Sequence, residues 1–333
     1  MTGTGRTALR WGVLSTARIL DELRPGFEAS ASAELAALAS RDEERAAAYA
    51  AEHGIPTAYG SYEELLADDS LDCVYVPLPN SLHAEWARAA LEAGKHVLCE
   101  KPLTPTAAEA AALFELAEAR GLVLMEAFMY RHHPKTPLLR ELVDGGRIGT
   151  PLLVRMRFHF ECEDPANDIR FRADLAGGAL RDVGCYCVSL ANYLAGAAPA
   201  QVRGAARFAE SGVDELFVGT LRFDDGFLAA FDCGMRSPLE VGVEVIGTAG
   251  RIVVEMPWYA HLAPLSIRVE DAAGGSEELA TPGPNAYQLE IENFCAAVLG
   301  EKQPAISPEE TLRNLETLER LLATAQTDRP VPA

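Results

Sequence analysis

The 333-residue sequence has no run approaching the roughly 20 apolar residues that a membrane-spanning helix requires. Its opening stretch, Met1 to Arg10, lacks the apolar middle of a signal peptide. Basic side chains are scarce: 29 Lys and Arg stand against 49 Asp and Glu, a formal net charge of −20 that repels phosphate backbones and anionic bilayers. Neither nucleic acid nor membrane is therefore an expected partner, and the chain reads as cytoplasmic. The seven cysteines (Cys73, Cys99, Cys162, Cys185, Cys187, Cys233 and Cys295) are odd in number, scattered and without a CxxC pair. That pattern indicates neither a disulfide framework nor a zinc site; buried free thiols are expected. Internal repeats are absent, as is low complexity beyond Ala-rich helices.

What is present describes an ordinary packed protein. Hydrophobic residues make up 49% and charged residues 23%, with 27 Gly and 20 Pro; at roughly 150 residues per domain the length suggests two domains, each able to bury a core. In the first third, the apolar runs LRWGVL, ELAALAS and LDCVYVPL alternate with helical periodicity over 41–52 and 83–92. Two further runs, KHVLCEKP and LVLMEAFMY, flank an Ala-rich helix that Thr104 or Thr106 can cap. This βαβ rhythm predicts an α/β fold with a doubly wound parallel sheet. After Tyr130 the strands LLVRMRFHF, LFVGTLRF, GFLAAFDCGM, VEVIGTAG and RIVVEM succeed one another through turns such as DDG and TAG, which predicts an α+β domain with a mostly antiparallel sheet. One helix, from about Gly178 to Leu194, interrupts them, and helices near 287–299 and 308–326 close the chain.

The first run ends in Gly12-Val13-Leu14-Ser15-Thr16-Ala17-Arg18-Ile19, a turn of small residues leading into a helix. Backbone N–H groups and the positive helix end can take a pyrophosphate there, provided no bulky Cβ blocks it. The stretch is not an intact GxGxxG, and a plain strand-to-helix turn is the competing reading. The second run ends at Ser40-Arg41, where the ribose 2′ position of a dinucleotide is read. A serine followed by an arginine offers a hydroxyl and a guanidinium to a 2′-phosphate, so NADP is the expected cofactor and NAD the alternative. If Arg41 is only a solvated helix-start residue, Asp42 does the reading.

In Gly94-Lys95-His96-Val97-Leu98-Cys99-Glu100-Lys101-Pro102, a Glu and a Lys close a buried strand immediately before the proline that ends it. Ligands of open α/β sheets bind outside such strand ends, so this lysine can face a nicotinamide and a substrate hydroxyl; a structural salt-bridging lysine is the alternative. With PNSLHAEWARAAL before it and EAFMYRHHP after it, GKHVLCEKPL resembles the Gfo/Idh/MocA oxidoreductase family. The DVGCY stretch points to the branch holding glucose-fructose oxidoreductase, dimeric dihydrodiol dehydrogenase and NADP-dependent D-xylose dehydrogenase. The resemblance runs from about residue 9 to about residue 325. It implies a Rossmann domain over 1–130. Over 131–333 it implies an α+β domain with an open-faced sheet that binds substrate and forms oligomers, its C-terminal helix able to pack back on the first domain.

By the same resemblance, Lys101 is the active-site lysine and Glu100 lies near the nicotinamide ribose. Leu78, Pro79, Asn80 and His83 match positions lining the cofactor, alongside Gly12, Ser15, Thr16, Ala17, Arg18, Ile19, Ser40 and Arg41. GGALRDVGCY matches the substrate helix, where the family carries Asp, three residues, then His or Tyr: here Asp182 and Tyr186, which at i and i+4 leave one helix face. Ser15 and Ala17 stand where many relatives have glycine, and Ser15 can donate its hydroxyl to a phosphate oxygen.

A phenol with a pKa near 10 is a poor base at neutral pH unless a cation favours the phenolate, and Lys101 is that cation. Tyr186 is then expected to take the proton of a substrate hydroxyl as C4 of NADP+ accepts the hydride, with Asp182 and Lys101 orienting the alcohol. The expected activity is an NADP-dependent dehydrogenase or reductase acting on a sugar, polyol or cyclic diol. Arg131 can bind a substrate hydroxyl or a cofactor phosphate, and His132 and His133 are expected to cap the loop or, His132 above all, to contact substrate; adjacent histidines seldom face one site, and no metal is expected. The outward residues of LFVGTLRF and FLAAFDCGM are too apolar for a free monomer, which with the resemblance predicts a homodimer or dimer of dimers. A catalytically silent NAD(P)-binding regulator, or a tightly held cofactor used for internal redox, are the competing readings. The absence of any YxxxK excludes a short-chain dehydrogenase.

Overall fold

A computed structural model of the chain describes residues 8–259 and 266–327. The first elements are β1 (Leu9–Leu14), α1 (Ile19–Ala29), β2 (Ala33–Ala39), α2 (Glu43–His53), β3 (Thr57–Tyr59), α3 (Tyr62–Leu66), β4 (Cys73–Val76), α4 (His83–Glu92), β5 (His96–Glu100), α5 (Ala107–Arg120) and β6 (Leu124–Ala127). Then come α6 (Lys135–Asp144), β7 (Pro151–Glu161), α7 (Cys185–Ala195), β8 (Gln201–Phe208), β9 (Asp214–Arg222), β10 (Leu228–Gly234), β11 (Arg236–Gly247) and β12 (Gly250–Val254). The chain continues with β13 (Ser266–Asp271), β14 (Ser276–Ala280), α8 (Ala286–Val298) and α9 (Pro308–Thr327). Two compact units result. Unit 1 holds the described residues up to Thr104, Ala108–His132 and Pro284–Pro308; unit 2 holds Pro105–Ala107, His133–Gly283 and the described residues from Glu309 onward.

Unit 1 is built on a six-stranded sheet in the order β3-β2-β1-β4-β5-β6, parallel at each pairing. Its strands are continuous apolar runs because both faces are covered; β4 is buried at each residue. Strand order reverses between β1 and β4, so the loops leaving those strands part and open a crevice at their carboxyl ends. The split expected after residue 130 sends α8 to the second domain, whereas the structure folds it into unit 1. Trp11 of β1 is gripped between Phe27 of α1 and Phe294 of α8, with ring centroids 5.4 and 5.0 Å away. Gly26 permits this packing, since a Cβ there would meet the backbone of Tyr287 and Gln288.

Unit 2 carries an eight-stranded sheet in the order β14-β13-β12-β11-β7-β10-β9-β8, antiparallel except where β10 runs parallel to β7. Helix α9, expected to be free to return to the first domain, belongs to unit 2. Asn192 of α7 donates to Asn314 of α9 at 2.8 Å, and Gly204 of β8 lies against the carbonyl of Leu321. Alternation along β9 sends Phe217 and Leu221 inward and Leu216 and Val218 outward. The outward face holds Leu216, Val218 and Leu228, which are 37%, 49% and 43% exposed. Among the described residues, no helix is long and apolar enough to cross a membrane.

Candidate active site

The phosphate loop leaves β1 as the sequence predicts, but its residues divide the work differently. Gly12 lies within β1, where an added Cβ would press on Leu65 and Leu71; its smallness serves packing rather than the approach of a ligand. Ser15 adopts φ +127°, a conformation that favours glycine. Its hydroxyl is engaged on both sides, donating to the Pro77 carbonyl at 3.2 Å and accepting from the Ala17 N–H at 3.1 Å. The hydroxyl proton here goes to the loop after β4, tying together the two loops that flank the crevice. In the first turn of α1, Leu20 and Asp21 N–H groups bond back to Ala17 and Arg18. Among the described residues, the N–H groups of Thr16, Arg18 and Ile19 have no partner, the donor set that a dinucleotide pyrophosphate fits.

At the end of β2, Ser40 is buried and its hydroxyl accepts from the Asp42 N–H at 3.2 Å. The Oδ1 of Asp42 caps α2 by accepting from the Arg45 N–H at 3.1 Å. Arg41 is exposed and lies near the Tyr62 phenol. Burial raises the Tyr62 phenol's pKa, and the charges of Arg41 and Arg45 oppose it. Arg45 also reaches the Thr16 carbonyl, at 3.5 Å. Sequence reasoning missed Arg45, although its spacing of one helical turn from Arg41 could have found it.

The carboxyl end of β5 presents Glu100 and Lys101, and the Lys101–Pro102 bond is cis. Glu100 accepts from the Tyr75 hydroxyl at 2.5 Å and from the Lys101 N–H at 3.2 Å. Burial, then the Glu100 charge, pushes the Tyr75 phenol well up, which keeps it protonated as the donor. His83 does not line a cofactor: it is fully buried, with Nδ1 2.9 Å from the Pro102 carbonyl and Nε2 2.7 Å from that of Leu78. Burial pushes its pKa down, and the neutral ring carries a single N–H, so it donates to one of these carbonyls and packs against the other. Leu78 is buried, while Pro79 and Asn80 are partly exposed.

The two histidines of YRHHP part company. His132, expected to touch substrate, turns into unit 1, where its Nε2 lies 3.9 Å from Oε1 of a buried Glu290 on α8. Burial pushes His132 down to about 3, and burial together with the Glu100 charge pushes Glu290 well up, so the two form a neutral pair. His133 is buried in unit 2 and accepts the Lys135 N–H at 3.2 Å. Arg131 is 9% exposed, in the turn after β6. Among the described residues, no cluster of His, Cys, Asp and Glu could hold a metal ion.

In unit 2, Asp182 and Tyr186 share one helical segment, but the helix is not α throughout: Leu180–Gly184 is a π turn that runs into α7. Gly184 lies directly on Cys233 of β10 and on Leu180, with no room for a Cβ. Such π turns concentrate at functional sites. Tyr186 is 6% exposed and sits among aromatic rings that sequence reasoning missed, Phe158 at 5.4 Å and Trp258 at 5.7 Å between centroids. Arg170 was also missed. Asp168 grips it through Oδ1 at 2.8 Å and Oδ2 at 2.6 Å, it lies 4.7 Å over the Phe160 ring, and its far Nη1 stands 3.7 Å from Asp182. Burial opposes the ionised form of Asp168, yet the Arg170 hydrogen bonds hold it down at about 2. No local sequence signal joins Arg170 to Asp182, since a loop separates them.

The family model for the oxidoreductase family with an NAD-binding Rossmann fold (Gfo/Idh/MocA) matches residues 9–128, and that for the GFO/IDH/MocA C-terminal domain matches residues 137–253. The chain is 42% identical over 325 residues to a D-xylose 1-dehydrogenase (NADP(+)) of Haloferax volcanii, covering 97% of this chain and 99% of that one. It is 39% identical over 300 residues to a dTDP-3,4-didehydro-2,6-dideoxy-alpha-D-glucose 3-reductase of Streptomyces violaceoruber, covering 87% and 85%. A crystal structure of a 3-ketoreductase from Actinomadura kijaniata, a tyrosine-to-phenylalanine variant in complex with TDP-benzene and NADP, has a TM-score of 0.89 and 32% identity, covering 95% of this chain and 98% of that one.

Proposed function

The chain belongs to the Gfo/Idh/MocA oxidoreductase family, and from that premise we propose that it interconverts a CH–OH and a C=O group of a sugar, polyol or cyclic diol using NADP. When bound, the nicotinamide supplies the acceptor or donor of the hydride. The observation that carries the cofactor reading is the end of β2, where Arg41 follows Ser40 and Arg45 stands one helical turn on, two guanidinium groups to offer a 2′-phosphate. The NADP named for the D-xylose dehydrogenase and present with the ketoreductase supports it. Oxidation of an aldose at C1 is the leading case, supported by the relative that acts on D-xylose.

In this reading Tyr186 exchanges the proton of the reacting oxygen, Asp182 orients the hydroxyl, and Lys101 is the cation that eases proton loss from the phenol. Thr16, Arg18 and Ile19 hold the pyrophosphate by their N–H groups, and Glu100 anchors the ribose nearest the nicotinamide. A second copy of the chain covers the outward sheet face of unit 2, a homodimer supported by the exposed Leu216, Val218 and Leu228. The seven cysteines, all free and buried, support a reducing, cytoplasmic location.

The test is a panel of aldoses, polyols and dihydrodiols followed by NADPH absorbance, repeated with Tyr186→Phe. Turnover of at least one aldose is expected, with kcat lowered about 10²- to 10⁴-fold in the variant, the scale of a positioned acid–base group. Near wild-type turnover by Tyr186→Phe removes the tyrosine from the acid–base role.

A further inference from the structure

Asp214 opens β9 and is 3% exposed, yet among the described residues no basic side chain bonds to it. Its Oδ2 accepts from the Leu180 N–H at 2.6 Å, at the start of the π turn that leads to Asp182 and Tyr186. A helix start leaves several N–H groups without intrahelical partners, and here a carboxylate from a distant strand satisfies one. The other oxygen, Oδ1, occupies the place a Cβ of residue 178 would take, so the approach depends on glycine there, at φ +120°. The neighbouring backbone is held as firmly: Gly177 N–H donates to the Arg172 carbonyl and Gly178 N–H to that of Arg170. Since the Arg170 guanidinium reaches Asp182, the segment is anchored at two points, by Asp214 beneath its first turn and by Arg170 at its acidic side chain.

We propose that Asp214 is the positioning residue of the catalytic segment: its carboxylate sets the first turn of the helix that carries Asp182 and Tyr186, and its ionisation sets how firmly that turn is held. Among the described residues, two titratable groups face it. Arg181 comes from the turn itself and favours the charged form, and the buried thiol of Cys233 comes from β10. On the β8 side its partner in register is Phe208, which carries no charge. Burial outweighs both the Leu180 hydrogen bond and Arg181 and lifts the carboxyl to about 6. Above that pH Asp214 is an anion making a charge-assisted bond to the turn; below it the neutral acid is a weaker acceptor. The turn should therefore hold its catalytic side chains better on the alkaline side of about pH 6.

The experiment compares wild type, Asp214→Asn and Asp214→Ala. Asparagine keeps an acceptor for Leu180 but does not titrate; alanine removes the acceptor. The first readout is amide hydrogen exchange of residues 178–190, expressed as protection factors at pH 5 and 7.5, which requires no substrate. The second is kcat from pH 5 to 8 with the aldose that the wild type oxidises, and only this arm rests on the function proposed above. Alanine is expected to lose protection in that segment, with kcat falling about tenfold to a hundredfold, the scale of a small misplacement, and KM for NADP+ unchanged. The wild type is expected to be better protected at pH 7.5 than at pH 5, whereas asparagine is expected to hold the segment equally at both pH values, below the wild type at pH 7.5, and to lose the acid-side inflection near pH 6 that the wild type shows. Wild-type protection in the alanine variant, or the inflection persisting in asparagine, overturns the proposal. If alanine fails to fold, the asparagine comparison decides. If no aldose is oxidised by the wild type, the proposed function fails while the exchange arm still judges the role of Asp214.

Discussion

Lys135 offers a test of how burial of charge limits stability in this fold. It is 2% exposed at the start of α6, its ammonium donates to the Met256 carbonyl at 2.6 Å, and among the described residues it has no carboxylate partner. Burial pushes its pKa down from the usual 10.5 to about 7. Because the folded pKa lies below the unfolded one, the unfolded chain binds this proton more tightly. The penalty on folding is therefore absent above pH 10.5, grows as the pH falls and is complete below pH 7. At about 1.4 kcal/mol per tenfold change in proton affinity, it amounts to about 4 kcal/mol at pH 7 and about 1 kcal/mol at pH 9.5. Lys135→Met fills the volume of the stem and removes the penalty, but leaves the Met256 carbonyl without its donor at a cost of about 1–3 kcal/mol. A net gain of roughly 1–3 kcal/mol at pH 7 is expected from those two terms. The sharper quantity is the change in that gain with pH, because every pH-independent consequence of the substitution cancels. Urea unfolding followed through Trp258, buried in the same unit, should show the variant's advantage shrinking by about 3 kcal/mol between pH 7 and 9.5. An advantage that stays constant over this range would refute the argument and mean that Lys135 keeps its charge at no cost.

Three further outcomes follow from the structure. Arg41→Ala should weaken NADPH binding by roughly 1.5–3 kcal/mol, the range of a charge-assisted bond, and barely affect NADH; equal losses in a titration would show that Arg41 acts structurally. Val218→Asp places a charge in the apolar outward face of unit 2 and should give a monomer mass by light scattering at micromolar concentration; an unchanged dimer would move the interface elsewhere. Gly178→Ala combines φ +120° with a Cβ that overlaps Asp214, and should destabilise by about 2 kcal/mol or more, while an unchanged unfolding midpoint would show that the turn yields easily.

The features legible in the sequence are those in which cause and effect are close neighbours along the chain. The parallel sheet of unit 1 follows from continuous apolar runs alternating with helical periodicity, because strands covered on both faces admit few polar residues. Ser40 with Arg41, Glu100 with Lys101, and Asp182 with Tyr186 lie within one helical turn of each other or are adjacent, so local backbone geometry alone juxtaposes them. The strands that escaped notice are short or lie towards the sheet edges. β3 spans three residues, and β8, β13 and β14 carry polar side chains on their outward positions, where solvation replaces packing as the constraint.

Only the tertiary structure decided which surfaces meet. An amphipathic pattern states that α8 must cover something apolar, but the choice of Trp11 and α1 came from the space that Gly26 leaves between two helices. The same holds for the hydrogen bonds. A serine hydroxyl suited to a phosphate went to Pro77, a histidine suited to a cofactor lies buried between two carbonyls, and a histidine suited to a substrate turned inward beside Glu290. Each such group had several partners of the right chemistry, and the fold decided which of them burial brought near. Asp214 and Arg170 belong to the same class: their roles at the helix of Asp182 and Tyr186 depend on segments remote in the chain coming together, information that spacing and periodicity do not contain.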